Sequence, residues 1–272
     1  MPRLDGQVII VTGSTQGVGE AVALHAAQAG AAGVVICGRQ QEKGEAVVKR
    51  IEELGSEALF VRANLADVED CLNIVRRCDE RFGRVDGLVN AAADTARATL
   101  DDATVELWDR QFAVNVRAPF LLTQESARIM RREGIDGSMV NILSVCAYCG
   151  LDIVTPYRAT KGALRTFTKN VANSLRRDRI RVNGIVLGWT DTPAEHAVQR
   201  EQGSGDDWLA EAEAASPFGR LIKPDDVAKL CLYLLSDDSG ILTGSNIDYT
   251  QRVMGFFPPE LSDTNLSDDE AV

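Results

Sequence analysis

Tyr157 and Lys161 stand four positions apart in the stretch YRATK, a spacing that puts both on one face of a helix. Such a pair has a definite chemistry. A free tyrosine, with a pKa near about 10, is a poor base at neutral pH. A lysine ammonium one turn away favours the phenolate and makes the phenol usable as a general acid/base. Upstream, Ser144 closes an apolar strand-like run, where its hydroxyl would orient a substrate oxygen. Y-x-x-x-K pairs are common on ordinary surface helices, so the chemistry depends on what else the chain supplies.

A nucleotide site is the next requirement. In VIIVTGSTQGVGEAVA, Gly13, Gly17 and Gly19 lie between a strand-like run and a helical pattern. Glycines permit a tight turn and close approach of the backbone to a ligand. The helix N-terminus behind them offers free N–H groups and a positive dipole end to a pyrophosphate. The spacing is T-G-x-x-x-G-x-G rather than G-x-G-x-x-G, and its strand–turn–helix setting carries the dinucleotide reading. At the end of the second strand an NAD site places Asp or Glu on the ribose 2′-hydroxyl. This chain has Gly38-Arg39 instead. A guanidinium there can pair with a 2′-phosphate, so NADP is predicted over NAD.

The stretch SVCAYCG at 144–150 holds a C-x-x-C pattern. A metal reading needs a second ligand pair, and the only histidines are His25 and His196. A redox reading needs a helix N-terminus in a thioredoxin-like setting. The six cysteines, at 37, 71, 78, 146, 149 and 231, read better as scattered buried thiols than as a disulfide framework. No metal site is predicted, and Cys146 and Cys149 are expected as polarisable wall beside Ser144.

Short β-branched runs at 8–12, 34–37, 58–61, 87–90, 138–143, 181–186 and 245–248 alternate with helical patterns at 18–30, 41–54, 67–82, 104–133, 156–176 and 224–236. Several of the runs are almost continuously apolar, as happens when helices cover both faces of a parallel sheet. The alternation predicts an α/β fold, a Rossmann-like doubly wound sheet of about seven parallel strands in one domain spanning 1–257. Residues 192–216 are polar and are expected as a mobile lid or loop. The acidic segment 258–272 is expected to be a disordered tail. The net charge of −11 argues against nucleic-acid and anionic-membrane partners. No apolar run reaches the roughly 18 residues of a membrane span. The N-terminal residues lead into a strand-like run without a signal-peptide pattern, which predicts a cytoplasmic protein.

Taken in order, these motifs resemble the short-chain dehydrogenase/reductase family in its compact single-domain branch. The resemblance rests on T-G-x-x-x-G-x-G at 12–19, the asparagine motif at Asn90, Asn115 in NVRAPF, Ser144, Tyr157 with Lys161, and the run from Asn183 to Thr192. It covers about residues 5–250. It implies an NAD(P)-dependent alcohol dehydrogenase or carbonyl reductase with a tetrad of Asn115, Ser144, Tyr157 and Lys161. Tyr157 would move the proton, Ser144 would orient the substrate oxygen, Lys161 would hold the nicotinamide ribose, and Asn115 would hold a water leading to solvent. Cofactor contacts would come from Gly13, Ser14, Gln16, Gly17, Val18, Gly19, Arg39, Asn64, Leu65, Asn90, Ala91, Tyr157, Lys161, Gly188, Thr190 and Thr192. The family commonly forms homotetramers through helices near 104–133 and 156–176, and the same is expected here.

Three positions depart from the family pattern. Asn90-Ala91-Ala92-Ala93 puts Ala93 where a glycine is usual. Leu187-Gly188 replaces Pro-Gly, which is expected to loosen the nicotinamide loop. DYTQRVMG stands where Asp-Gly-Gly is usual, so that part of the subunit contact is in doubt. The substrate pocket is expected to hold Asp94, Cys146, Tyr148 and Trp189, with Asp191, Glu195 and His196 nearby. This mixture suits a small sugar, polyol or other polar alcohol or ketone. Its carboxylates would either accept substrate hydroxyls or face solvent. The lid carries six carboxylates against Arg200 alone, which disfavours an acidic carrier protein as substrate. A 3-oxoacyl-carrier-protein reductase and a catalytically weak dinucleotide-binding regulator are the alternatives.

Overall fold

The computed structural model describes residues 2–148 and 152–253. Cys149 and the tail from 258 lie outside the described residues. Seven parallel strands form one sheet in the order β3-β2-β1-β4-β5-β6-β7. They are β1 (Val8–Val11), β2 (Gly33–Gly38), β3 (Glu57–Arg62), β4 (Gly87–Asn90), β5 (Ser138–Ser144), β6 (Arg181–Leu187) and β7 (Asn246–Tyr249). The connecting helices are α1 (Gly17–Gln28), α2 (Gln41–Glu53), α3 (Val68–Phe82), α4 (Val105–Phe112), α5 (Ala118–Glu133), α6 (Thr155–Leu175), α7 (Pro193–Glu201), α8 (Trp208–Ala214) and α9 (Pro224–Leu235).

Alternate residues of each central strand face opposite layers. Ile9 and Val11 pack with Val22, Ala26 and Val227 of α1 and α9. Val8 and Ile10 pack with Ile74, Leu122 and Met130 of α3 and α5. Burial on both faces is why these strands read as unbroken apolar runs. Strand order reverses between β1 and β4, which pair directly. In such sheets ligands bind at the carboxyl ends of the strands at that switch point. No helix among the described residues is long and apolar enough to cross a membrane.

The expected single helix over 104–133 is interrupted. Residues Ala113–Arg117 form a π-turn in which the Ala118 N–H bonds the carbonyl of Ala113. Pro119 follows the turn and has no N–H, so the carbonyl of Asn115, a position of the expected tetrad, has no α-helical donor four residues on.

Two other expectations change. Residues 192–216 are not a plain loop, for α7 and α8 occupy most of the segment. Thr192 caps α7 by accepting from the Glu195 N–H at 3.2 Å. Leu187 does not loosen its loop, because it carries β6 on, paired with Ser144 on one side and Tyr249 on the other. Its side chain is buried in the core. Ala93 also fits, since Arg179 is the one non-glycine of positive φ among the described residues.

The phosphate loop is tight enough to need its glycines. Gly13 has φ 62°, and a Cβ there would stand 2.7 Å from the Ala92 Cα. A Cβ on Gly19 would overlap the carbonyl of Gly13. We expect Gly19→Ala to lose about 1–3 kcal/mol from overpacking and to weaken NADPH binding, both readable by thermal unfolding with and without the nucleotide. An unchanged melting temperature would show that the loop is looser than this geometry.

Candidate active site

Ser144 ends β5, and Tyr157 and Lys161 come from the first two turns of α6. The Lys161 side chain is buried and its Nζ donates to the Ile142 carbonyl at 2.8 Å. That bond ties the ammonium to the strand that carries Ser144. Nζ lies 5.6 Å from the centre of the Tyr157 ring. Ser144 Oγ accepts from the Cys146 N–H at 3.1 Å, which fixes the short 3-10 turn Val145–Ala147 and holds Cys146 beside the phenol.

Asn115 sits in the π-turn, 1% exposed. Its Oδ1 accepts from the Asp94 N–H at 2.8 Å. Its Nδ2 donates to the Asp94 carbonyl at 2.9 Å and to Thr160 Oγ1 at 3.1 Å. The side chain therefore clamps the segment after β4 onto α6. What the side chain leaves for a water is the main-chain carbonyl, whose α-helical donor Pro119 removes.

The electrostatics of the pair differ from the simple expectation. Burial pushes the Tyr157 phenol well above its ordinary range. The Cys146 thiol and the Glu195 carboxylate raise it further, while a hydrogen bond with Ser144 opposes them. Burial also pulls Lys161 down to about 8. The Lys161 ammonium is itself disfavoured by its burial and is directed at the Ile142 carbonyl.

The phosphate loop presents a cradle suited to a dinucleotide. Gln16 precedes α1 without a side-chain cap, so the first N–H groups of the helix are open to a pyrophosphate. Gly17 faces Thr192, which brings the β6–α7 segment over the loop. Arg39 is exposed beyond β2, and Lys43 of α2 donates to Gln16 Oε1 at 3.2 Å. Two cations thus stand at the end of the loop expected to take the adenosine. Lys43 was not expected, and its place in the first turn of α2 was the available signal.

Several other expected contacts have side chains engaged within the protein. Ser14 Oγ donates to the Val11 carbonyl at 2.6 Å and accepts from the Cys37 N–H at 3.0 Å. Val18 and Leu65 pack into the two core layers. Asn90 Nδ2 donates to Asn141 Oδ1 at 2.8 Å, and the Ala91 N–H donates to Thr12 Oγ1 at 3.0 Å. Asn64 Oδ1 accepts from the Ala66 N–H at 3.2 Å, so the amide expected at the adenine closes a local turn. Thr190 Oγ1 donates to the Gly188 carbonyl at 3.1 Å.

The chain matches the family described as Enoyl-(Acyl carrier protein) reductase over residues 13–250. It is 30% identical to the L-rhamnose 1-dehydrogenase (NAD(P)(+)) of Sphingomonas sp. (strain SKA58), covering 90% of this chain and 95% of that one. The chain belongs to the short-chain dehydrogenase/reductase family. It is also 33% identical to the 3-oxoacyl-(acyl-carrier-protein) reductase of Thermotoga maritima over 90% of this chain and 96% of that one. Among solved structures, a variant actinorhodin polyketide ketoreductase with NADPH superposes with a TM-score of 0.85 at 28% identity, covering 94% and 100% of the two chains. Members of this family are oxidoreductases that use NAD(P).

As a short-chain dehydrogenase/reductase, the chain has a distinctive cleft wall. Asp94, expected to accept substrate hydroxyls or face solvent, does neither freely. Its carboxylate accepts from Arg110 Nε at 2.7 Å and the Ala96 N–H at 3.0 Å, and although burial works against the charge, these bonds hold it below the usual carboxylate range. Asp191 is likewise held, by His196 Nε2 at 2.8 Å and Lys223 Nζ at 2.9 Å. The Tyr148 hydroxyl donates to Asp248 at 2.7 Å, and Arg165 lies 4.5 Å over its ring. Trp189 Nε1 donates to Glu195 Oε1 at 3.0 Å, and its ring lies near that of Trp208. The lid is less acidic in effect than its composition, because Arg97 pairs with Glu195 and Lys223 with Glu213. Neither cation lies in the lid, so composition within the segment gave no hint of them. The buried thiols Cys37, Cys71 and Cys78 are pushed up to about 12, about 11 and about 12 by burial.

Proposed function

We propose that the chain is an NADP-preferring oxidoreductase that interconverts a small hydroxy compound and its carbonyl partner. The observation that carries this reading is the convergence of Ser144, Tyr157 and Lys161 beside the Asn115 clamp, at the end of the sheet where the phosphate loop opens. Tyr157 donates its proton to the carbonyl oxygen in reduction and takes it back in oxidation. Ser144 holds that oxygen in line with the phenol. Lys161, fixed by the Ile142 carbonyl, holds the ribose next to the nicotinamide and passes protons toward the main-chain carbonyl of Asn115. Bound NADP(H) supplies the hydride equivalent exchanged with the substrate carbon. Gly13, Gln16, Gly17, Gly19 and Thr192 would hold its phosphates, with Thr190 and Gly188 at the carboxamide.

The substrate class we favour is a sugar, polyol or other polar alcohol or ketone. The likeness to a rhamnose dehydrogenase supports it, as does the polar lining at Glu195. The likeness to an acyl-carrier-protein reductase supports the alternative, and the paired lid carboxylates weaken the electrostatic case against it. A screen with both cofactors against sugars, polyols, simple ketones and a 3-oxoacyl thioester separates these. We expect turnover within the first three classes. Turnover of the thioester alone overturns the small-molecule reading, and nucleotide binding without any turnover favours a regulator. The homotetramer implied by the family would cover Trp108 and Phe120, which are 42% and 44% exposed on α4 and α5.

For cofactor choice, Arg39→Ala should raise the KM for NADP about tenfold or more and leave that for NAD nearly unchanged. Lys43→Ala should act in the same sense with a smaller effect. Equal losses with both cofactors would place Arg39 away from the 2′ position.

A further inference from the structure

Thr160 lies between Tyr157 and Lys161 in α6 and is 0% exposed. Its Oγ1 donates to the Tyr157 carbonyl at 2.6 Å and accepts from Asn115 Nδ2 at 3.1 Å. The carbonyl can only accept and the amide nitrogen can only donate, so the single hydroxyl proton goes to Tyr157 and a lone pair to Asn115. Among the described residues this is the one hydrogen bond between the π-turn and α6. Asn115 in turn holds the N–H and the carbonyl of Asp94. A continuous run of bonds therefore ties the segment after β4 to the backbone of Tyr157, and the Thr160 hydroxyl is its last link.

Thr168 supplies the comparison. Further along α6, it is also 0% exposed, donates to the Leu164 carbonyl at 2.8 Å and accepts from Asn141 Nδ2 at 2.9 Å. The chemistry of the two hydroxyls is the same, and what differs is the residue whose backbone each one holds. Leu164 is a core side chain, whereas Tyr157 carries the phenol. We propose that Thr160 is a positioning residue for Tyr157: its hydroxyl pins the first turn of α6 to the Asn115 clamp and so fixes where the phenol stands beside Ser144 and Lys161. Part of what Asn115 does for the reaction passes through this bond. A misplacement of about 1 Å in a reacting group costs about 10²-fold in rate, so loss of the link is read in kcat. The inference rests on the oxidoreductase reading above and adds to it a residue that acts through Tyr157.

The assay follows NADPH oxidation with 2,3-butanedione, or with the fastest carbonyl of the screen above where that is turned over better. Thr160→Val keeps the shape and removes both bonds. It should lower kcat about tenfold, with the KM of the carbonyl and the affinity for NADPH, read by fluorescence, each within about twofold. Thr160→Ser keeps the hydroxyl and should hold kcat within about threefold, while Thr160→Ala should resemble Thr160→Val. That pair carries the comparison if Thr160→Val folds poorly. Thr168→Val loses the same two kinds of bond and should lower the melting temperature as much, with kcat unchanged within about twofold. In the Asn115→Ala background, Thr160→Val should cost less than about threefold more, because the link is already broken. Wild-type kcat in Thr160→Val overturns the proposal, as does a Thr160→Ser protein as slow as Thr160→Ala. Equal losses of kcat in Thr160→Val and Thr168→Val, or full additivity with Asn115→Ala, would make the residue merely structural and overturn it as well. If the wild type binds NADPH but reduces no compound in the screen, the oxidoreductase reading falls first and the inference with it.

Discussion

Tyr157→Phe is expected to lower kcat by about 10²- to 10⁴-fold, the usual worth of a positioned general acid/base, while the affinity for NADPH stays within about twofold. The substitution removes one oxygen and leaves the ring that packs beside Lys161. The phenol is also poised for one direction. Because burial raises it far above neutral pH, it keeps its proton across the physiological range and can give it to a carbonyl oxygen. The sign is straightforward: a group is protonated below its pKa, so raising the pKa extends the range over which the acid form persists. Carbonyl reduction by the wild type should therefore be nearly flat across neutral pH. Alcohol oxidation needs the deprotonated form and should rise with pH. Stopped-flow or steady-state absorbance of the reduced cofactor reads both. Retention of substantial turnover in the phenylalanine variant would remove Tyr157 from the proton path.

The fold was legible because its cause is periodic. Strands buried on both faces leave unbroken apolar runs, and the helices between them leave amphipathic ones; both survive in a single sequence. The tetrad positions were legible for a related reason, since Tyr157 and Lys161 are neighbours on one helix and Ser144 ends a strand. Pro119 is also a readable sign of an irregularity there, because its missing N–H removes one α-helical bond at Asn115. What stayed hidden was pairing across the chain. Nothing near Asp94 in sequence announces Arg110, and nothing in the lid announces Lys223 or Arg97. Two carboxylates expected at the substrate are for that reason held by cations from other segments. The partners of Tyr148 were hidden in the same way, for Asp248 and Arg165 lie on β7 and α6. Motif order points to the proposed reacting groups, whereas the charges around them are set by tertiary contacts.

Lys161→Met should abolish most turnover and at the same time make the protein more stable at neutral pH. The lysine is 2% exposed with an ammonium pulled down to about 8, against about 10.4 in an unfolded chain. Below pH 8 both states carry the proton, and the folded state bears the full cost of a buried charge, on the order of 3 kcal/mol. Between the two pKa values the folded protein has released the proton and the unfolded chain has not. Unfolding then takes up a proton, so raising the pH stabilises the wild type and relieves the cost. Methionine has a similar length, no charge and no titration. Its advantage should be largest at pH 7 and should shrink by about half or more at pH 9.5. Urea unfolding of both proteins at the two pH values measures the difference. The methionine variant does leave the Ile142 carbonyl without its lysine donor, at a cost of about 1–2 kcal/mol, which lowers the gain equally at every pH and does not alter its slope. An advantage that is the same at both pH values would mean the ammonium is not destabilised by its burial. A gain in stability joined to a loss of about 10²-fold or more in turnover would mark Lys161 as a group held at this site against the preference of the fold. Burial of a cation next to Tyr157 then has no structural justification and must be accounted for by the chemistry.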